Sequence, residues 1–145
     1  MAYPVPPLAR DILLVEDDDA DAYLIQDALE NNGTPRSVTQ VGDGVEALHY
    51  LRGPDAPRPD LIVLDINMPR MDGHELLGVL KTDEDLRTIP VVVLSTSSSP
   101  DDVQGAYHRH ANAYVTKPVT LDDFTTAVTS IDDFFLRTAL QAPAC

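Results

Sequence analysis

The chain has 145 residues, 43% of them apolar and 23% charged, with 24 acidic against 10 basic side chains and a formal net charge of −14. That length suits one domain with a real core, and an acidic balance with no basic stripe works against nucleic-acid binding, which Lys and Arg drive by neutralising phosphates. No apolar run is long enough to span a membrane, and the Pro-rich start lacks the basic and apolar regions of a secretory signal, so a cytoplasmic location is expected.

Residues 1–9 read as a tail. The apolar run Ile12 to Val15 predicts a first strand, and it runs straight into Glu16, Asp17, Asp18, Asp19 and Asp21, five carboxylates in six positions. Residues 21–30 carry Leu24, Ile25, Ala28 and Leu29 on one helical face and stop near Asn31-Asn32-Gly33. A strand at 37–41 and a helix at 44–51, ended by Gly53-Pro54, come next. A strand at 61–64 precedes a helix at 72–81, for which Asp72-Gly73 serves as cap and turn. Further strands are expected at 91–94 and 113–116, with helices at 100–110 and 121–136. The last helix has the cleanest period, placing Phe124, Ala127, Val128, Ile131, Phe134 and Phe135 at spacings of three, four and seven. Residues 137–145 read as a tail or arm, and Cys145, the only cysteine, is expected to be a loose terminal thiol without a disulfide partner.

Three of the strands are nearly continuous Val, Ile and Leu, as in parallel strands covered on both faces. Five strand–helix units with short connections imply an α/β, doubly wound parallel sheet over residues 10–136. Ligands of such sheets bind beyond the carboxyl ends of the strands, where the strand order reverses. With the order 2-1-3-4-5, strands one and three are neighbours, so Asp17 and Asp65 converge there. Ser95 and Lys117 approach from the other side. Like charges repel by about 1 kcal/mol per pair at contact even in bulk water, so the acids need either solvent or a cation. Carboxylates and a backbone carbonyl suit Mg²⁺.

This constellation resembles the receiver domain of two-component response regulators, which implies a (βα)5 flavodoxin-like fold. The resemblance rests on Leu13-Leu14-Val15-Glu16-Asp17-Asp18, on Asp60 through Gly73 around Leu64-Asp65-Ile66-Asn67-Met68-Pro69, on Pro90 through Ser97, and on Tyr114-Val115-Thr116-Lys117-Pro118, all in order. It implies that Asp65 accepts a phosphoryl group from a phosphohistidine on a sensor histidine kinase. It implies Asp17 as direct Mg²⁺ ligand, Glu16 as an acid acting through metal-bound water, and the Asn67 carbonyl as a further ligand. Ser95 becomes the switch hydroxyl, Lys117 the phosphate-pairing ammonium, and Tyr114 the aromatic that responds. A cis bond between Lys117 and Pro118 is also implied.

Glu16 stands where Asp is commoner and Ser95 where Thr is commoner. Thr96, where a smaller residue is frequent, and Ser97 are candidate modulators. Residues 89–96 and the Phe134-Phe135-Leu136 end resemble small single-domain regulators that accompany bacterial phytochromes, which implies a bacteriophytochrome as kinase. With little chain after the fifth helix, the output expected is a protein contact or onward transfer to a histidine phosphotransfer protein. Two adjacent phenylalanines exceed what one helix face buries, so one of Phe134 and Phe135 is expected in a homodimer contact. Asp19 and Asp21 read as helix-start acids, and His74, His108 and His110 as surface residues. An EF-hand fails because Ala22 and Ala28 occupy the glycine and closing-glutamate positions. A flavin carrier would need a hydroxyl- and glycine-rich loop after strand one, and a haloacid-dehalogenase-like phosphatase an acid where Asn67 stands. A pseudo-receiver with relic acids is the remaining rival.

Overall fold

The apolar runs become a parallel sheet of β1 (Arg10–Val15), β2 (Arg36–Val41), β3 (Leu61–Leu64), β4 (Val91–Ser95) and β5 (Ala113–Thr116) in the order β2-β1-β3-β4-β5. The computed structural model describes residues 10–142; the expected tail at 1–9 and Cys145 lie outside the described residues. Helices α1 (Asp19–Glu30), α2 (Gly44–Leu51), α3 (Gly73–Thr82), α4 (Pro100–His108) and α5 (Leu121–Asp132) connect and follow the strands.

Successive strand side chains point to opposite faces, and here both faces are covered. Leu13, Val15, Ile62, Leu64, Val91 and Val93 pack with Ala47, Leu76, Leu77 and Leu80 on one side. Ile12, Leu14, Leu61, Val63, Val92 and Leu94 pack with Ile25, Leu29, Phe124 and Val128 on the other. Each helix starts on a side-chain cap: Asp18, Asp43, Asp72, Ser99 and Thr120 accept from the backbone N–H three residues on. No described helix is long and apolar enough to cross a membrane.

Several boundaries differ from expectation by a residue or more, and three of the differences have clear local reasons. Helix α4 stops at His108 because His110 adopts φ +70° and its N–H closes a turn onto the Tyr107 carbonyl at 2.9 Å; His is among the residues that tolerate this region. Strand β2 begins one residue early, at Arg36, whose side chain is buried against Asp132 at 2.6 Å. Helix α5 does not run evenly to Leu136. It widens into a π-helical turn, Asp133–Thr138, closed by the Ala139 N–H on the Phe134 carbonyl at 2.7 Å. The wider turn keeps Asp132 and Leu136 inside and turns Phe134 outward, 56% exposed, with Phe135 half-buried and edge-on to it. The 3.6-residue period placed Phe134 on the inner face; the π-helical turn, which follows the buried Asp132–Arg36 pair, shifts the phase.

Candidate functional site

Strand register assembles the site. Val15 pairs with Leu64, so Glu16 and Asp65 leave adjacent strands side by side, with the Asp65 N–H on the Val15 carbonyl at 3.0 Å. Ser95 pairs with Thr116, and the Lys117 N–H donates to the Ser95 carbonyl at 2.7 Å. Four residues scattered over 102 positions therefore meet at one sheet edge because parallel strands end together. The loop after Asp65 folds back tightly at Gly73. A Cβ there would sit 2.5 Å from the Asp65 carbonyl oxygen and 2.6 Å from the Ile66 Cα, so only glycine permits the approach.

One ammonium serves several acids. Lys117 Nζ donates to Glu16 Oε1 at 2.5 Å and to Asp21 Oδ2 at 2.8 Å, and lies 3.6 Å from Asp65 Oδ2. Glu16, Asp65 and Lys117 are buried, while Asp17 is exposed. Burial, reinforced by the neighbouring Asp65 charge, pushes the Glu16 carboxyl from its ordinary 4.5 up to about 7 against the pull of Lys117. Burial opposes the Lys117 charge, but hydrogen bonds to Asp21 and Glu16, with Asp65 nearby, outweigh it and hold the ammonium above its ordinary range. The pair is thus firmly cationic on the lysine side and electrostatically overcrowded on the acid side.

That excess is where a cation fits. One oxygen each from Glu16, Asp17 and Asp65 lie within 4.8 Å of one another. Three hard carboxylate oxygens around a partly open position match a divalent ion that keeps some of its waters. The donor set contains neither thiol nor imidazole, so it does not suit softer metals.

The other expected residues fall around this centre. Asn67 is exposed, and its N–H points to Asp65 Oδ1 at 3.3 Å. Ser95 is fully buried, its Oγ accepting from the Ser97 N–H at 3.2 Å. Tyr114 is half-buried and its hydroxyl donates to the Ser97 carbonyl at 2.7 Å. Thr96 is exposed on the rim of a cleft with Asp21, Lys117 and Pro118. Ser97 Oγ donates to Asp102 at 2.5 Å, which with His74 lowers the Asp102 carboxyl. Phe134 and Phe135 are not part of the centre; they line an apolar groove with Ala113, Val115 and Ile131.

The expected cis bond and the expected surface position of His74 both differ from the structure. The bond before Pro118 is trans, as are all described peptide bonds; the trans form is the ordinary preference for X–Pro, and Lys117 reaches the acids from the β5 backbone without the cis isomer. His74 is not a plain surface residue. Its side chain is 21% exposed, Nε2 faces Asp102 at 3.4 Å between α3 and α4, and Nδ1 is buried without a partner. His108 and His110 are exposed, as expected.

Sequence reasoning missed three contributors. Asp21 is no solvated helix-start acid; that capping role belongs to Asp18, and the Asp21 carboxylate turns to Lys117. The usable signal was its position one helical turn after the strand-end acids. Arg70, at φ +60° in the loop after Asp65, donates to Asp43 at 2.7 Å. The Glu46 N–H, then Arg70, hold the Asp43 carboxyl below its ordinary value, and the Gly44 N–H on the Met71 carbonyl at 3.0 Å ties the same loop to α2. The third is the Asp102–His74 contact. No local pattern marks either of these last two.

The response regulator receiver domain model matches residues 12–129. The probable methanogenesis regulatory protein FilR2 of Methanothrix harundinacea is 44% identical over 128 residues, 86% of this chain and 83% of that one. Response regulator Rcp1 of Synechocystis is 42% identical over 131 residues, 88% and 89% of the two chains, and the structure of its Mn²⁺-bound form superposes with a TM-score of 0.87 at 40% identity, covering 92% and 99%. The phosphorylated cyanobacterial phytochrome response regulator RcpA superposes with a TM-score of 0.90 at 46% identity, covering 94% of this chain and all of that one.

Proposed function

Because the chain belongs to the response regulator receiver family, which signals rather than performing metabolic catalysis, we propose that it is a phosphoacceptor switch in which Asp65 takes a phosphoryl group from a phosphohistidine of a sensor histidine kinase. The observation that carries this reading is the convergence of Glu16, Asp17, Asp65 and Lys117 at one sheet edge. In the step, an Asp65 carboxylate oxygen bonds to phosphorus as the phosphorus–nitrogen bond breaks, leaving an acyl phosphate here, while the imidazole takes up one proton from solvent and leaves as a neutral histidine on the donor. Mg²⁺ held by Asp17, Asp65, the Asn67 carbonyl and, through water, Glu16 would supply charge neutralisation for this approach. Lys117 offsets the remaining charge. Ser95, then Tyr114 through the Ser97 segment, report the new group to α4 and β5. A local charge thereby biases two conformers.

The pathway we favour is phytochrome-linked, on the likeness to Rcp1 and RcpA. The comparable identity to FilR2 carries a second reading, and transfer from a bacteriophytochrome kinase to this chain, but not from an unrelated kinase, separates them. The output is a protein contact, including a homodimer in which the outward Phe134 seats, or onward transfer to a histidine phosphotransfer protein. Light scattering over a dilution series that finds only monomer, with and without a phosphoryl analogue, would sink the dimer. The central test is a phosphate-affinity gel after acetyl phosphate treatment. A band that shifts only with Mg²⁺ and is lost in Asp65→Asn is expected; an unshifted wild type that also fails to bind beryllofluoride favours the pseudo-receiver.

A further inference from the structure

Asp21 is the one carboxylate at the site that the acceptor and metal roles leave unused, yet it makes one of the two close contacts to Lys117. An ammonium has three donors. Two are taken by Glu16 and Asp21 at 2.5 and 2.8 Å, and Asp65 stands off at 3.6 Å. Nothing in α1 demands this arrangement. An acid in the first turn is favourable at the helix N-terminus pointing to solvent, and the N-cap bond is made by Asp18, which accepts from the Asp21 N–H at 3.0 Å. The Asp21 side chain is 30% exposed and lines the open cleft that also holds Thr96, Pro118 and Val119, so it is free to move once Lys117 turns away.

Resting on the phosphoacceptor reading, we infer that Asp21 is a positioning residue which holds the Lys117 ammonium back from Asp65 and competes with the incoming phosphoryl group for it. A phosphoryl oxygen on Asp65 gains a full charge-assisted hydrogen bond only when Lys117 shifts toward it, and each such shift weakens the Asp21 contact. Glu16 does not play this part alone, because its buried carboxylate lies beside Asp65 itself. Asp21 therefore sets how strongly the site retains a phosphoryl group, lowering affinity and shortening its residence.

The test uses the full chain and beryllofluoride, titrated by fluorine NMR at saturating Mg²⁺ on wild type, Asp21→Asn, Asp21→Glu and Asp19→Asn. The last removes an equal charge from the same turn without touching Lys117, since Asp19 pairs with Gln40. Asp21→Asn should tighten beryllofluoride binding about two- to fivefold, the range for losing a partly exposed charge-pair competitor. Asp21→Glu should return toward wild type, and Asp19→Asn should leave affinity unchanged. In the metal-free protein the Lys117 ammonium resonance should exchange faster with water in Asp21→Asn. Equal affinities for wild type and Asp21→Asn, an equal gain in Asp19→Asn, or an unchanged Lys117 signal overturns the role. A wild type that binds no beryllofluoride instead removes the phosphoacceptor reading, and this role with it.

Discussion

The molecule buries charge at both ends of its sheet, and the two ends are built oppositely. At the amino ends of the strands, Arg36 at the start of β2 meets Asp132 at the end of α5 at 2.6 Å, both nearly inaccessible. Asn32 donates to the second Asp132 oxygen at 2.6 Å, and Arg137, which also hydrogen-bonds the Asn32 carbonyl, lies 3.6 Å from the same oxygen. Charge there is matched and nearly saturated, with one Arg36 nitrogen left unpartnered. At the carboxyl ends a single buried ammonium faces Glu16, Asp21 and Asp65, with Asp17 beside them. A saturated pair holds two elements in register. An unsaturated cluster stores repulsion that a ligand can relieve, which is why perturbed groups collect at sites of chemistry.

Breaking the saturated end should cost most. Asp132→Ala leaves Arg36 buried and uncompensated, and removing one partner of a buried pair costs about 3–5 kcal/mol, read as a lower urea midpoint. Replacing both residues with apolar ones of similar volume should restore most of that loss. If the single change costs nothing, the contrast between the two ends falls.

The unsaturated end predicts an opposite response to charge removal. The Glu16 carboxyl is raised in the folded chain, so its protonated form is favoured there. Its contribution to stability is present below 4.5 and is lost as pH rises through about 7. Without divalent cation, Glu16→Gln should therefore lose less stability than wild type between those pH values. Added Mg²⁺ should stabilise wild type increasingly as pH rises and help the variant less. Thermal unfolding at four pH values, with and without Mg²⁺, reads both effects.

The Asp43–Arg70 contact, also beyond the carboxyl ends of the strands, gives smaller effects. Asp43→Ala removes the α2 cap and frees Arg70, at about 1–2 kcal/mol for the cap. Because the Asp43 carboxyl is held low, this contribution is present above the ordinary carboxylate range and is lost as pH falls through the folded value. Chemical denaturation at pH 7 and at pH 3 should show the variant's deficit shrinking on acidification. Tyr114→Phe should cost least, about 1 kcal/mol for one neutral hydrogen bond to the Ser97 carbonyl, while weakening the coupling between phosphoryl analogue binding and α4 shifts seen by NMR.

Much of this was decided by local pattern. Continuous Val, Ile and Leu runs mark strands covered on both faces, as β3 and β4 turned out to be, and helix caps such as Asp72 lie next to the first apolar repeat. The acids after β1 and β3 and the Lys117-Pro118 pair are legible because parallel strands end at one edge, so strand-end residues meet whatever their separation in sequence. The partner of a charge is a different matter. Whether Asp21 faces water or Lys117, whether Arg36 lies buried on Asp132, and whether Phe134 turns out of the last helix depend on how helices far apart in the chain are rotated against the sheet. Periodicity carries the identity of a helix face; only packing sets its phase against neighbours, and the buried ion pairs lock that phase.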